Sequence, residues 1–500
     1  MKIIRTDLMD PKSLTGWEQD QVYNGLDICV TLDVFHELIQ QLDNTTSATY
    51  DFSRALQGPV LDMRCHGILV DQARRLDTID ELSAKADIIE VQLERIIFEG
   101  VGLVTFNWRS SADLRHLFYE VFGLPHERKK GALTTDRNAR EKLSVYPIAT
   151  QICAHINILA DIEKKISVLR QDIDKDNRFR TSYNIAGTNT GRFSSSASEF
   201  DTGGNMQNVE EKLRSIFIAD PGMKFAKFDT KSGESYCVGA IEWNLFRDGK
   251  YLDAVETGDI HTAVARLCWP NLGWTGNLAR DKKLAETPYY RHYTYRFMCK
   301  KLGHGSNYGG FPTTLAEQSH LPVPVVEAFQ PVYFRAFPAH QQWHAWVEEQ
   351  VRTVGHLTNL TGRKRYFFGR RSDSDTLRAA IAYDPQGSLA EIVNRAMLRL
   401  WRVGYTIVQH EHDALTFMYP EEQESEIIPK LLKELITPVA LAYGRELCIP
   451  WDAQVGWNKG KYDEQDNPNG LIDWKGHDKR KRTPKASVMD RILHRPNRRS

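Results

Sequence analysis

Arg296-Phe297-Met298-Cys299-Lys300-Lys301-Leu302-Gly303-His304-Gly305-Ser306-Asn307-Tyr308-Gly309-Gly310 is the stretch on which the reading turns. Read as a helix, it puts Arg296, Lys300, His304 and Tyr308 at successive i, i+4 positions, stacked along one face because 3.6 residues complete a turn. Two cations, an imidazole and a phenol in one stripe suit a polyphosphate attached to a flat ring. Taken alone, the same stripe also reads as a solvated amphipathic face closed by a glycine cap.

The residues around it supply chemistry that a solvated face does not need. Upstream, Lys224-Phe225-Ala226-Lys227-Phe228-Asp229 reads as a short strand that delivers an aspartate at its end. Downstream, Tyr405 to Met418 reads as a hairpin, two β-rich runs joined by an acidic turn containing Asp413. Two carboxylates brought together on a sheet repel each other, and Mg²⁺ held by one or two carboxylates plus substrate phosphates relieves that repulsion. Two such ions activate an attacking oxygen and stabilise a departing one. Adding the positive face of Arg296 and Lys300 completes the requirements of phosphoryl transfer. No Walker loop is present, which argues against a P-loop NTPase.

The remainder of the chain fits a soluble, several-domain protein of 500 residues with 65 basic and 65 acidic side chains. No apolar run reaches membrane-spanning length and the amino terminus does not read as a signal peptide, so a cytoplasmic location and no membrane partner are expected. Seven cysteines without CxxC spacing suggest neither a zinc site nor a disulfide framework. Residues 52 to 170 carry long helical periodicities. Asn184 to Gly204 is a polar, glycine-rich stretch around Thr190-Gly191-Arg192 that reads as a binding loop. Helical segments follow from 232 to 351 and from 376 to 401. The basic end, with Lys479-Arg480-Lys481-Arg482 and Arg498-Arg499, reads as a disordered tail drawn to polyanions.

Together these segments resemble a family-A (Pol I-like) DNA polymerase over most of the chain. Asp229-Thr230-Lys231-Ser232-Gly233-Glu234 resembles motif A, and Arg296, Lys300, Gly305, Tyr308 and Gly309 match motif B at every spacing. His412-Asp413 resembles motif C. Thr190-Gly191-Arg192-Phe193-Ser194-Ser195, then Asn205, Gln207 and Asn208, and then Arg214, are similar to the loop that grips primer and template. Arg378 and Pro385-Gln386-Gly387-Ser388 resemble the helix after the fingers.

The resemblance implies an α+β right-hand polymerase fold: a palm with an antiparallel sheet, helical fingers and a helical thumb. The expected segments are a remnant resembling the end of a 3′→5′ exonuclease domain (1–45), thumb (46–180), first part of the palm (181–241), fingers (242–375), second part of the palm (376–462) and tail (463–500). It further implies that Asp229, Asp413 and the Thr230 carbonyl bind two Mg²⁺ ions, with Mn²⁺ as a substitute. Arg296, Lys300 and His261 would hold the triphosphate, Lys300 also protonating the leaving pyrophosphate. Glu234 would exclude a 2′-hydroxyl, Tyr308 would lie at the template base and His304 near the incoming nucleotide. Thr190, Arg192, Asn205, Gln207, Asn208, Arg378, Gln386 and His412 would contact primer and template. Arg192, Arg378 and Gln386 would reach the minor groove, whose acceptors hardly vary with sequence.

Three positions depart from the family pattern. His304 stands where phenylalanine or tyrosine is usual, which makes a pH-dependent nucleotide affinity an expectation. Ala414 follows Asp413 where glutamate is common, and Ala382 stands where relatives often carry asparagine. At the amino end, Tyr23 and Asp27 resemble one exonuclease motif, but a lone aspartate cannot assemble a two-metal site. The expected activity is addition of dNTPs to a primer 3′-hydroxyl without intrinsic proofreading, in replication or repair in a bacterium or phage-infected cell. A separate exonuclease or other replication proteins would be partners beside primer–template DNA. Two alternatives are a single-subunit phage-type RNA polymerase relative, against which Glu234 argues, and an inactive DNA-binding accessory subunit, against which the metal-type carboxylates argue.

Overall fold

Met223–Thr230 (β1) alternates residues that bury on both sides of a sheet, and it takes the central place in five antiparallel strands. The other strands are Ile407–Glu411 (β2), Ala414–Pro420 (β3), Trp451–Gly456 (β4) and Ile472–Asp473 (β5), in the order β2-β3-β1-β4-β5. The register pairs Ala414 with Asp229 on one side and Asp452 with Asp229 on the other. Residues directly opposite in antiparallel strands share a face. One face therefore carries Asp229, Lys227 and Phe225 in successive rows along β1.

This computed structural model describes residues 13–198, 200–478 and 480–482. The chain forms two compact units. The sheet unit comprises Gly58–Gly233, Val393–Pro438 and the chain from Cys448 onward. Phe225 and Met418 anchor one end of the sheet face in an apolar cluster with Ile68, Phe179, Ile216 and Phe217. The same unit holds the long helices Gln72–Val101 (α1) and Pro147–Leu169 (α2), which close a second cluster around Leu93, Phe118, Ile152 and Leu159.

The helical unit comprises the described chain up to Gln57, Glu234–Ile392 and Val439–Leu447. Its main helices are Gly233–Phe246 (α3), Ile260–Cys268 (α4), Tyr295–Met298 (α5), His304–Asn307 (α6), Val323–Ala336 (α7), Pro338–Thr353 (α8) and Ser374–Arg402 (α9), the last belonging to it through Ile392. Its core is a buried polar network as well as an apolar one. His340 pairs with Glu242, Tyr333 Oη donates to Asn307 Oδ1 at 2.6 Å, and Asn307 Nδ2 donates to Tyr251 Oη at 2.8 Å. That network fixes the end of α6. The helix Gly16–Ile39 begins with a capping box between Thr15 and Glu18, and none of its residues is buried.

Two sequence expectations need correction. Arg296–Gly310 is not one α-helix: the segment Cys299–Gly303 between α5 and α6 is a π turn. A π turn widens the helix by one residue without changing which residue types recur, so residue spacing cannot reveal it. The tail expected to be disordered from 463 is folded to at least 478. Ile472–Asp473 completes the sheet, and the buried Asp478 carboxylate lies 2.9 Å from the buried Lys224 ammonium, which also meets Glu424. Lys224 needs those carboxylates, since an unpaired charge at that depth is costly. Arg498 and Arg499 lie outside the described residues. All seven cysteines are free thiols, and among the described residues no helix is long and apolar enough to cross a membrane.

Candidate active site

In the sheet unit, Asp229 stands near the end of β1, and Asp413 occupies the two-residue turn between β2 and β3. The Thr230 amide donates to the Asp413 carbonyl at 3.1 Å, so the ladder locks the turn against the strand end. His412, the other turn residue, has φ 51°, in the left-handed region that non-glycine residues rarely enter. Backbone strain of this kind gathers at functional sites, where the surroundings enforce it.

Burial raises the Asp229 carboxyl, and the Asp413 charge raises it further, to about 6. Glu411 and Asp452 push in the same direction, and Lys227 opposes them. The protein has thus concentrated carboxylates here without enough positive charge to offset them. This donor set suits a hard divalent cation taking oxygen ligands.

Residues of the polar 188–208 segment gather in the same unit. Ser195 Oγ donates within reach of both Asn205 Oδ1 (2.7 Å) and Gln207 Oε1 (2.8 Å), and Gln207 Nε2 donates to the His410 carbonyl at 3.1 Å. Asn205 Oδ1 also accepts from the Asn208 amide at 3.2 Å. The Thr188 hydroxyl donates to the Arg192 carbonyl and lies 3.3 Å from that of Thr190. Phe193 packs on the His410 ring at 4.5 Å, so the Thr190–Ser195 loop is braced against the strand that leads into His412 and Asp413.

In the helical unit, Arg296 lies 3.3 Å from Asp259 and 3.6 Å from Glu286. Asp259, two residues before His261, caps α4 by accepting from the Thr262 amide. Burial lowers His261, and Arg296, Lys300 and His304 lower it further, to about 4, against Asp259. Arg296, Lys300 and His304 therefore all lie near enough to His261 to act on it, despite the π turn. Lys300 and His304 are exposed. Tyr308 Oη donates to Glu234 at 2.5 Å, and the His304 ring stands edge-on to Tyr308 with Nε2 3.9 Å from Glu234. Gly309, at φ 67°, ends the helix in a conformation that strains other residues. Arg378 pairs with Asp375 and lies over the Phe311 ring at 5.5 Å, while Gln386 is half-buried on α9.

Sequence reasoning missed Glu411. It shares the sheet row of Ala414 and Asp229, and its buried carboxylate lies 3.1 Å from Arg214, 3.1 Å from Lys227 and 3.9 Å from Lys459. Burial would raise it, but the three cations outweigh burial and hold it at about 2. Lys459 is pushed down to about 7 by burial, with Lys227 and Arg214 acting the same way against Glu411. The one available signal was an acidic residue at the end of a β-rich run that precedes the acidic turn. Asp259 and Glu286, the partners of Arg296, were also missed.

Comparison with known proteins places the chain in a family. The model of the family described as DNA polymerase family A matches residues 76–462. The chain is 25% identical over 431 residues to the thermostable DNA polymerase I of Thermus aquaticus, covering 81% of this chain and 47% of that protein. It is 25% identical over 454 residues to DNA polymerase I of Treponema pallidum (strain Nichols), covering 86% and 42%. The chain thus spans about half the length of the relatives it matches. A solved structure, the POL domain of Pol1 from M. smegmatis in complex with DNA primer-template and dNTP, superposes with a TM-score of 0.67 at 21% identity, covering 87% of this chain and 75% of that one. The α+β fold is that of such a polymerase domain, and the chain belongs to DNA polymerase family A.

Proposed function

We propose that this chain is a template-directed DNA polymerase that adds dNTPs to a primer 3′-hydroxyl and releases pyrophosphate. The observation that carries the reading is the pairing of Asp229 with the Asp413 turn, in a register fixed by strands on both sides of β1. Asp229, Asp413 and the Thr230 carbonyl would hold two Mg²⁺ ions, with Mn²⁺ able to replace them. When bound, the ions lower the barrier to attack by the 3′-oxygen on the α-phosphate and offset charge on the departing oxygen.

The chain's own residues do the rest. Arg296 and Lys300 bind the triphosphate, His261 adds a contact, and Lys300 gives a proton to the leaving pyrophosphate. Arg296 is oriented by Asp259 and Glu286, so its guanidinium is committed in direction before a nucleotide arrives. Glu234 excludes a 2′-hydroxyl, and its hydrogen bond from Tyr308 holds it in place. Tyr308 lies at the template base, with His304 near the nucleotide. Thr190, Arg192, Asn205, Gln207, Asn208 and His412 contact primer and template, joined by Arg378 and Gln386 in the minor groove. The partners are primer–template DNA and dNTPs, with a separate exonuclease among candidate protein partners, and the place of work is the cytoplasm.

Primer extension with Mg²⁺ and four dNTPs tests the reading: Asp229→Ala abolishes extension and leaves duplex binding intact. Extension by the variant would overturn it. Glu234→Ala increases ribonucleotide incorporation, and an unchanged ratio of ribonucleotide to deoxyribonucleotide would remove that role. Intrinsic proofreading is not part of the proposal. Degradation of a mismatched primer that Asp27→Ala abolishes would contradict that point.

A further inference from the structure

A cavity of about 620 Å³ opens in the sheet unit beside the Asp229 row. Lys227 on β1 and Gln454 on β4 form its floor, and they are directly opposite each other in the sheet. Lys227 lies two residues before Asp229, so it points to the same face about 7 Å further along the strand. Arg214, Lys459, Lys461 and Lys475 add four more cations to the lining. Lys461 and Lys475 are exposed at the rim, and Lys459 is buried.

The negative charge present does not match this. Glu211 and Asp473 are the acidic residues of the lining, and Asp473 already accepts a 2.9 Å hydrogen bond from Gln454 Nε2. Next to the lining, on the same sheet face as Lys227, Glu411 is engaged by Arg214 and Lys227 together. Five cations thus face three carboxylates. The excess is felt inside the protein, because Lys227 and Arg214 both depress the Lys459 ammonium. Such an excess in a partly desolvated pocket favours a multiply charged anion. An Arg and several Lys donors converging on one space suit phosphate oxygens, the guanidinium by its paired N–H groups and the ammoniums as point charges.

We propose that this cavity is a phosphate-binding site distinct from the triphosphate contacts of Arg296 and Lys300. The phosphate comes from a nucleic-acid backbone or from a free polyphosphate. Both have the same chemistry, and the experiment separates them. The proposal does not rest on catalysis, because binding is measured without divalent metal or dNTP.

The test uses the full chain and the double variant Lys461→Ala with Lys475→Ala, two exposed positions whose loss does not open the core; Lys459→Met is a second, deeper variant. Primer–template affinity is measured by fluorescence anisotropy over a range of KCl concentrations, and inorganic pyrophosphate affinity by calorimetry. If backbone phosphates occupy the cavity, the double variant loses about fivefold or more in DNA affinity, and log affinity falls with log salt about two units less steeply. If a free polyphosphate occupies it, pyrophosphate binding weakens by a similar factor and DNA binding is unchanged. Equal binding of both ligands by wild type and by the double variant would overturn the proposal.

Discussion

Asp229 sits on a strand hydrogen-bonded on both sides, whereas Lys300 sits in a π turn on a helix surface, exposed to solvent. In the sheet, a slip of one residue would turn Asp229 to the opposite face, so register alone commits its direction. On the helix, Arg296 is committed by Asp259 and Glu286, and Lys300 lies among other cations. The two regions differ in how position is specified. Backbone pairing specifies the carboxylates, while side-chain charge specifies the cations at 296 and 300. Damage to the first should therefore be all-or-none, and damage to the second should be graded.

The sharpest break in that comparison comes from the carboxylates. Asp229→Ala and Asp413→Ala should each lower single-turnover incorporation by on the order of 10³-fold or more, with duplex affinity retained. On the helix, if Lys300 protonates the departing pyrophosphate as proposed, Lys300→Ala should cost on the order of 10²-fold in kcat/KM, expressed largely in kcat. Arg296→Ala should instead act mainly on KM, since its pairing with Asp259 and Glu286 exists before the nucleotide binds. Equal kcat losses for both cations would merge what the comparison separates.

The turn at His412 offers a smaller effect of opposite sign on stability. His412→Gly should relieve the left-handed backbone and raise unfolding free energy by about 1 kcal/mol. Incorporation should fall because the imidazole is gone. A stability loss would mean that the ring contributes more by packing than the backbone costs.

The last expected change is a pH effect on stability in the helical unit, which leaves the chemistry untouched. Burial raises the Asp384 carboxyl to about 7, against hydrogen bonds from Ser388 and the Leu360 amide. The folded state therefore holds a proton that the unfolded state has released between about pH 4 and 7, and stability falls as pH rises through that window. Asp384→Asn keeps an acceptor for both donors and removes the ionisation. It should raise stability at pH 8 by on the order of 1–3 kcal/mol and flatten thermal unfolding between pH 5 and 8. An unchanged pH slope in the variant would assign the effect elsewhere.

What could be read from the sequence follows the same division. The strand ending at Asp229 and the hairpin carrying Asp413 were legible because β-rich runs and a polar turn are local signals. The cations at 296 and 300 were legible because i, i+4 spacing is local too. The π turn between them was not, since it alters hydrogen bonding without altering that spacing. Glu411 was illegible in its role, because Arg214, Lys227 and Lys459 reach it from distant parts of the chain. The folded start of the tail was missed for the same reason: Asp478 is tied to Lys224, more than 250 residues earlier, and its amide donates to Glu424, more than 50 residues earlier.

The central claim is that the paired carboxylates drive template-directed nucleotide addition, and single-nucleotide incorporation on a primer–template of defined sequence tests it most directly. Each dNTP is supplied alone with Mg²⁺ to wild type and to Asp413→Ala. The account expects wild type to extend the primer only with the dNTP complementary to the template base, and Asp413→Ala to extend with none while still binding the duplex. Extension independent of the template base, or undiminished extension by Asp413→Ala, would contradict it.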